Sequence, residues 1–179
     1  MNNTNEYVLI APCGLSCGHC PAYLAKDNPV IMERLITMGA NRDDIPCRGC
    51  RPLEGNPAWC RKESRNLLVE DLGETSNHLP AVDRPCATYT CSVEHGVEFC
   101  YECPEFPCVK LQPCADMANV LPQNLKVFNL CSLRRQGPAK WLKNYAETSN
   151  LYYFGKLVVG EGPQITEDGL RAIKERQGQ

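Results

Sequence analysis

The sequence contains no apolar run that approaches the roughly 18 consecutive residues of a membrane-spanning helix, so we predict no membrane association. Residues 1–12 hold no basic residue and only four consecutive apolar residues, whereas a secretion signal needs a basic start and a longer apolar core. We therefore expect a cytoplasmic protein. In that reducing compartment, cysteine thiols at short spacings are more often metal ligands than disulfides.

An excess of one charge is also missing. Nineteen basic and 21 acidic residues give a formal net charge of −2 and a pI near 5.9, whereas domains that bind nucleic acid are usually strongly basic. The acid-free stretch between Asp116 and Glu147 carries five basic side chains, which are too widely spaced to form a dense block. We predict a solvated helix face there. Nucleic acid is therefore not expected as a partner.

Signatures of catalysis are missing as well. The sequence has no serine, histidine and aspartate order typical of hydrolases, no phosphate-binding P-loop and no paired-glycine fingerprint. The Gly-Glu-Gly at 160–162 is too short to form a phosphate cradle. The sequence therefore names no catalytic residue and leaves open whether the protein is an enzyme.

The chain is instead rich in cysteine, with 13 among 179 residues, 12 of them before residue 115. The odd count leaves at least one thiol unpaired if all others form disulfides. This distribution predicts a cysteine-rich metal-binding region over residues 1–115. A helical C-terminal extension over residues 116–179 is expected to pack on it.

Three C-x-x-C pairs carry the strongest metal signal, because this spacing folds into a tight turn that directs two sulfurs at one ion. They begin at Cys17, Cys47 and Cys100. Arg48 and Arg51 flank the second pair and place cations beside its thiolates. The predicted metal ligands are Cys13, Cys17, Cys20, Cys47, Cys50, Cys60, Cys86, Cys91, Cys100, Cys103 and Cys108.

Two of the cysteine groups contain three sulfurs each, where a tetrahedral site needs four, so we expect distant segments to share ligands. These triplets begin at Cys13 and Cys100. The pair Cys47 and Cys50 is expected to draw its other ligands from a set of three later cysteines. That set is Cys60, Cys86 and Cys91. His19 is the alternative fourth ligand of the first triplet and is otherwise a turn residue.

Zinc is the predicted metal, at roughly two or three ions per chain, because a C-x-G-C knuckle and all-cysteine coordination are typical of structural zinc sites. Iron–sulfur clusters also use cysteine alone. Cys13, Cys17 and Cys20 resemble the C-x3-C-x2-C motif of radical S-adenosylmethionine enzymes, so an iron–sulfur redox or radical enzyme is the alternative. The chain lacks the alternating strands and helices of the barrel that carries that motif.

The predicted fold class is mostly α, a small metal-stabilised domain with short helices around irregular cysteine-rich loops and at most minor β structure. Apolar periodicity and capping residues predict helices over 30–38, 64–72, 123–135, 138–145 and 167–176. Only 151–159 has the composition of a strand.

Individual positions refine these helices. Asn28 is predicted to cap the helix over 30–38, and Thr166 the last helix. Cys114 has no assigned role. The helix over 123–135 is expected to bury Leu125, Phe128, Leu130 and Cys131.

Three ordered segments, C-G-L-S-C-G-H-C-P-A-Y, C-R-G-C-R and C-S-V-E-H-G-V-E-F-C-Y-E-C-P-E-F-P-C-V-K-L, resemble a prokaryotic domain-of-unknown-function family, number 3795. The resemblance spans residues 13–111 and implies cysteine-based metal binding, with zinc as the expected metal. It does not imply any particular activity. It maps onto the predicted ligands other than Cys60. Cys60, Cys114 and Cys131 lie outside the matched pattern.

These features together predict a cytoplasmic, multi-site, cysteine-rich zinc-binding protein whose metal is structural and whose biochemical role is unknown. A zinc site closed by four protein ligands has no open position for a substrate. The leading interpretation is therefore an interaction module that presents its surface to an unknown protein partner. No oligomeric state is predicted.

Overall fold

The computed structural model describes residues 7–37, 39–57, 85–112, 123–154, 156–158 and 160–177. Within these residues, six α-helices and one antiparallel hairpin are linked by 3-10 turns and irregular loops, which confirms the mostly α fold class with minor β structure. The helices are α1 (Pro21–Leu24), α2 (Pro29–Thr37), α3 (Ala87–Glu94), α4 (Lys126–Gln136), α5 (Pro138–Phe154) and α6 (Glu167–Gln177). The hairpin joins β1 (Lys156–Val158) to β2 (Gly162–Gln164).

Polar caps begin the helices where the sequence predicts them. The Oδ1 of Asn28 accepts hydrogen bonds from the amides of Val30 (3.0 Å) and Ile31 (3.1 Å), so Asn28 caps α2. The Oγ1 of Thr166 accepts from the amide of Gly169 at 3.1 Å and caps α6. Both caps are confirmed. The helix predicted over 64–72 lies outside the described residues.

The strand predicted over 151–159 is wrong for its first half. Residues 151–154 complete α5, and only Lys156–Val158 is extended, paired with Gly162–Gln164. A helix that has already formed gains one hydrogen bond for each residue it adds, and this outweighs the strand preference of aromatic side chains. In the part of the chain that the structure describes, no helix is long and apolar enough to cross a membrane.

The core joins the first cysteine loop to the C-terminal helices. Trp141 and Tyr145 of α5 stack with ring centroids 4.4 Å apart. The ring of His19, in the turn Cys17–His19, meets Tyr145 edge-on at 5.5 Å. The buried members of the core are Ile10, Ala11, Cys13, Phe99, Leu111, Leu130, Leu133, Trp141 and Tyr145.

The buried face of helix α4 differs in part from the predicted one. Burial of Leu125, directly before the helix, and of Leu130 is confirmed. Phe128, however, is 59% exposed and Cys131 is exposed, so both burial predictions are wrong. Lys126, expected on a solvated face, is only 1% exposed.

Asn129 explains this rotation of α4. Its Nδ2 donates to the carbonyl oxygen of Gly14 at 2.9 Å and to the hydroxyl of Tyr145 at 3.1 Å. A buried amide needs such partners, so these bonds orient the helix with Asn129, Leu130 and Leu133 inward. These contacts attach the C-terminal helices to the cysteine-rich part, while the division at residue 115 stays a prediction.

Candidate metal centre

The first cysteine loop is a tight turn that buries its tip. The amide of Ala11 donates to the carbonyl of Leu15, and the amide of Gly14 to that of Ala11, both at 2.9 Å. Gly14 has φ 84°, a conformation that favours glycine. Cys13 is buried at this tip, directly below α4.

The knuckle Cys47–Cys50 lies against the same loop. Gly49, with φ 97°, turns its amide towards the Sγ of Cys47 at 3.4 Å. The amide of Cys50 donates to the Sγ of Cys17, also at 3.4 Å, across 33 residues of sequence. Amide donors of this kind stabilise the charge of metal-bound thiolates. The knuckle therefore supplies donors to a sulfur of its own and to one from the first loop.

The third cysteine segment is attached to the first by its backbone. The amide of Cys100 donates to the carbonyl of Pro12 at 2.9 Å, next to Cys13. The 3-10 turn Cys100–Glu102 is closed by the Glu102 carboxylate, which accepts from the amide of Phe99 at 3.1 Å. Cys13 and Cys100 are thereby held close together.

Helix α3 brings two more cysteines to these segments. The amide of Cys86 donates to the carbonyl of Gly55 at 2.7 Å, at the end of the knuckle loop. The Sγ of Cys91 lies 3.6 Å from the Nδ1 of His95. A hydrogen bond to the Cys91 side chain raises the pKa of the exposed Lys110.

Burial of the sulfur raises the pKa of Cys17 from 9.0 to about 12, a shift that the hydrogen bond from the Cys50 amide partly opposes. The neighbouring thiols of Cys20, Cys13 and Cys47 raise the pKa further. Without a cation, the Cys17 thiol is therefore protonated at neutral pH, and a metal ion must displace its proton to bind.

Two further thiols show the same effect and define two neighbourhoods. Burial raises the pKa of Cys50, and that of Cys100 to about 12. The thiols that act on Cys50 are Cys13, Cys17 and Cys86. Those that act on Cys100 are Cys13, Cys108, Cys91 and Cys103.

We call Cys17, Cys20, Cys47 and Cys50 the first thiol group, and Cys91, Cys100, Cys103 and Cys108 the second. Cys13 lies near both.

The raised thiol pKa values predict how the metal-free fold responds to alkali. In the folded chain Cys17 and Cys100 keep their protons up to about pH 12, whereas the unfolded thiols lose theirs near pH 9. The folded state therefore binds more protons in this window, and its stability falls as the pH rises from 9 towards 12. Below pH 9 the contribution is complete.

Urea unfolding of chelator-treated, reduced protein at pH 7, 8, 9 and 10.5 tests this expectation. The midpoint should hold between pH 7 and 8 and fall from pH 9 upward. The Cys131→Ser variant, which changes an exposed thiol, should give the same profile. A midpoint that does not move up to pH 10.5 would contradict the assignment.

The two thiol groups supply sulfur donors but no formed metal site. Within the described ranges, no three or more histidine, cysteine, aspartate or glutamate side chains converge in a way that would hold an ion. No disulfide joins two of the described cysteines. The donor set, sulfur with amide N–H groups around it, fits zinc or an iron–sulfur cluster by its chemistry. A bound ion would have to draw the thiols of each group towards one centre.

Of the predicted ligands, only Cys60 lies outside the described residues. Cys114, which has no predicted role, also lies outside them. The others fall near the two groups, with Cys86 beside Cys50. Cys91 neighbours Cys100 and not the knuckle. The Nδ1 of His19 is 2.7 Å from the hydroxyl of Ser16, as suits a turn residue. The assignment of ligands to sites stays a prediction.

Arg51 is the contributor whose role the sequence did not disclose. Its Nε donates to the carbonyl of Ile10 at 2.8 Å, and its Nη2 to that of Glu98 at 2.6 Å. The guanidinium carbon lies 5.0 Å from the centre of the Phe99 ring. In the sequence, its position directly after Cys50 was the only signal. That position indicated a cation beside the thiolates, but it did not indicate the hydrogen bonds to the two carbonyls.

The fold and its thiol groups define a small, mostly helical, cysteine-rich protein. A family model described as "Protein of unknown function (DUF3795)" matches residues 9–113, more than half of the chain. The chain belongs to this family, and the resemblance seen in the sequence is confirmed. The match spans both thiol groups. No curated protein and no solved structure matches the chain.

Proposed function

We propose that this chain is a multi-site zinc-binding protein whose metal is structural. The observation that carries the proposal is the pair of amide-to-sulfur hydrogen bonds at the knuckle, from Gly49 to Cys47 and from Cys50 to Cys17. These bonds place charge-stabilising donors on two sulfurs from distant segments. Zinc is the metal that closed, all-cysteine sites of this spacing hold most often.

The two thiol groups are the proposed ligand sets. Each offers four sulfurs, which is the number that a tetrahedral zinc site uses. Cys13 lies near both sets, and Cys86 lies beside Cys50 of the first. Two ions would therefore use eight of the eleven described cysteines, and a third would also require the cysteines outside the described residues.

A structural role follows from closed coordination. Four protein sulfurs leave no position for substrate, so the metal supplies folding free energy in place of chemistry. In the part of the chain that the structure describes, the apolar core cluster has nine buried members. Metal binding would supplement this core. We propose that the chain acts in the cytoplasm, away from membranes and nucleic acid, by presenting its surface to a protein partner.

Metal analysis of protein purified without added metal or chelator tests the proposal. We expect roughly two or three zinc ions per chain. Fewer than two would overturn the multi-site version. The Cys131→Ser variant is the matched control, because its exposed thiol lies outside both groups, and it should retain the full zinc content.

The colour of protein isolated without oxygen tests the iron–sulfur alternative in the same preparation. Zinc thiolates are colourless, whereas an iron–sulfur cluster gives broad visible absorption and a brown solution. Iron at the Cys13 motif with visible absorption would replace the zinc proposal by the redox alternative. Among the described residues, strand structure is limited to one short hairpin. The described fold therefore gives no support to a radical enzyme, whose motif is carried by a barrel of strands and helices.

A further inference from the structure

Arg51 connects three cysteine-bearing segments with one side chain. It directly follows Cys50 of the first thiol group. Its two hydrogen bonds end on the carbonyl of Ile10, three residues before Cys13, and on that of Glu98, two residues before Cys100. These acceptors are 41 and 47 residues away from Arg51 in sequence.

The shape of the side chain matters for this connection. A guanidinium is a planar fork whose donors point in fixed, separate directions, while its face can stack on a ring. Arg51 uses all of these features, two donors for two carbonyls and its face for Phe99. A lysine ammonium is a single point charge and cannot make the three contacts together.

We propose that Arg51 is a positioning residue that couples the two thiol groups, so that zinc in one group raises the affinity of the other. This inference rests on the proposed zinc-binding function. An ion in the first group fixes the knuckle and with it Arg51, which holds the backbone that leads into Cys100. The second ion then meets a turn that is already ordered, so less of its binding free energy is spent on ordering. Coupling of this kind is reciprocal.

The experiment measures how strongly the first thiol group binds zinc when the second is damaged. Cys103→Ser removes one sulfur from the second group and none from the first. Native mass spectrometry counts the ions, and competition with a chelator gives the affinity of the ion that remains. In the otherwise unchanged chain, we expect Cys103→Ser to weaken zinc in the first group about tenfold, within the usual range for coupled sites.

The same substitution is then made in the Arg51→Lys chain. There we expect Cys103→Ser to leave the affinity of the first group unchanged, because the connection is already broken. Arg48→Lys is the matched control, an exposed arginine on the same knuckle, and should preserve the tenfold effect. If Arg51→Lys does not fold, Arg51→Gln takes its place, because a side-chain amide lacks the forked donors and cannot hold both carbonyls, and coupling should again be lost.

The outcomes separate this inference from the function beneath it. If the unchanged chain binds no zinc, the proposed function fails and the inference with it. If it binds zinc but Cys103→Ser has no effect on the first group, only the coupling is overturned. A tenfold effect that persists in Arg51→Lys, or in Arg51→Gln where that variant is used, would assign the coupling to another contact and overturn the role of Arg51.

Discussion

Cys50→Ser should release zinc from the first thiol group and strongly destabilise the loops around it. The substitution removes one sulfur of the knuckle and leaves Cys17, whose sulfur accepts a hydrogen bond from the Cys50 amide, in an incomplete set. Structural zinc contributes about 10–16 kcal/mol of apparent binding free energy. A typical domain is stable by only about 5–15 kcal/mol, so losing part of the metal term should lower the melting temperature of this region far more than an exposed substitution does. Zinc content and thermal unfolding measure the effect.

Cys131→Ser is the contrasting variant for the same measurements. The sequence suggested a buried thiol, but Cys131 is exposed on α4. Exposed substitutions away from special features change stability by about 0.5 kcal/mol or less. We expect full zinc content and an almost unchanged melting temperature. Equal metal loss in the two variants would make Cys131 a ligand, and full zinc in Cys50→Ser would remove the knuckle from the site.

Gly14→Ala should strongly destabilise the fold although it leaves every sulfur in place. A Cβ at Gly14 would lie 2.9 Å from the Cγ of Leu130 and 3.2 Å from the carbonyl oxygen of Lys126, so α4 would have to move. The positive φ of 84° adds a conformational penalty. The penalty costs about 1–2 kcal/mol and overpacking about 1–3 kcal/mol. Chemical unfolding should therefore show a loss of roughly 2–5 kcal/mol.

Gly137→Ala separates the two causes. Gly137 has φ 77° at the end of α4, but an added Cβ there meets nothing within 4 Å. With ψ at 155°, Gly137 lies outside the left-handed helical region, in one that is almost exclusive to glycine, so this variant should show only a conformational penalty of about 1–3 kcal/mol. Equal losses in the two variants would mean that α4 moves away from Gly14 without cost.

The features that the sequence predicted correctly depend on neighbouring residues. Asn28 and Thr166 cap helices because their side chains reach amides two or three positions ahead. Helix periodicity likewise identified α4 and the start of α5. The cysteine spacings identified the family. None of these inferences required knowledge of how distant segments meet.

The incorrect burial predictions, and the arrangements that the sequence did not show, involve tertiary contacts. Phe128 is apolar, but Asn129 has two buried partners from other segments, and these determine which side of α4 turns inward. The sequence could not show that Cys91 approaches Cys100 while Cys86 approaches Cys50, because helix α3 sets both positions. Arg51 was visible only as a nearby charge. Its hydrogen-bond acceptors are backbone carbonyl oxygens, which every residue has, so the sequence could not identify them.

The hydrogen bond between Asn129 and Gly14 also has a consequence for synthesis of the chain. The two residues are 115 positions apart, and ribosomes add about 5–20 residues per second. The Cys13 loop is therefore made about 6–23 s before the helix that covers it. During that interval its thiols have no helical cover. The order of synthesis thus gives metal ions, and also oxidants, access to the first cysteines before the finished fold encloses them.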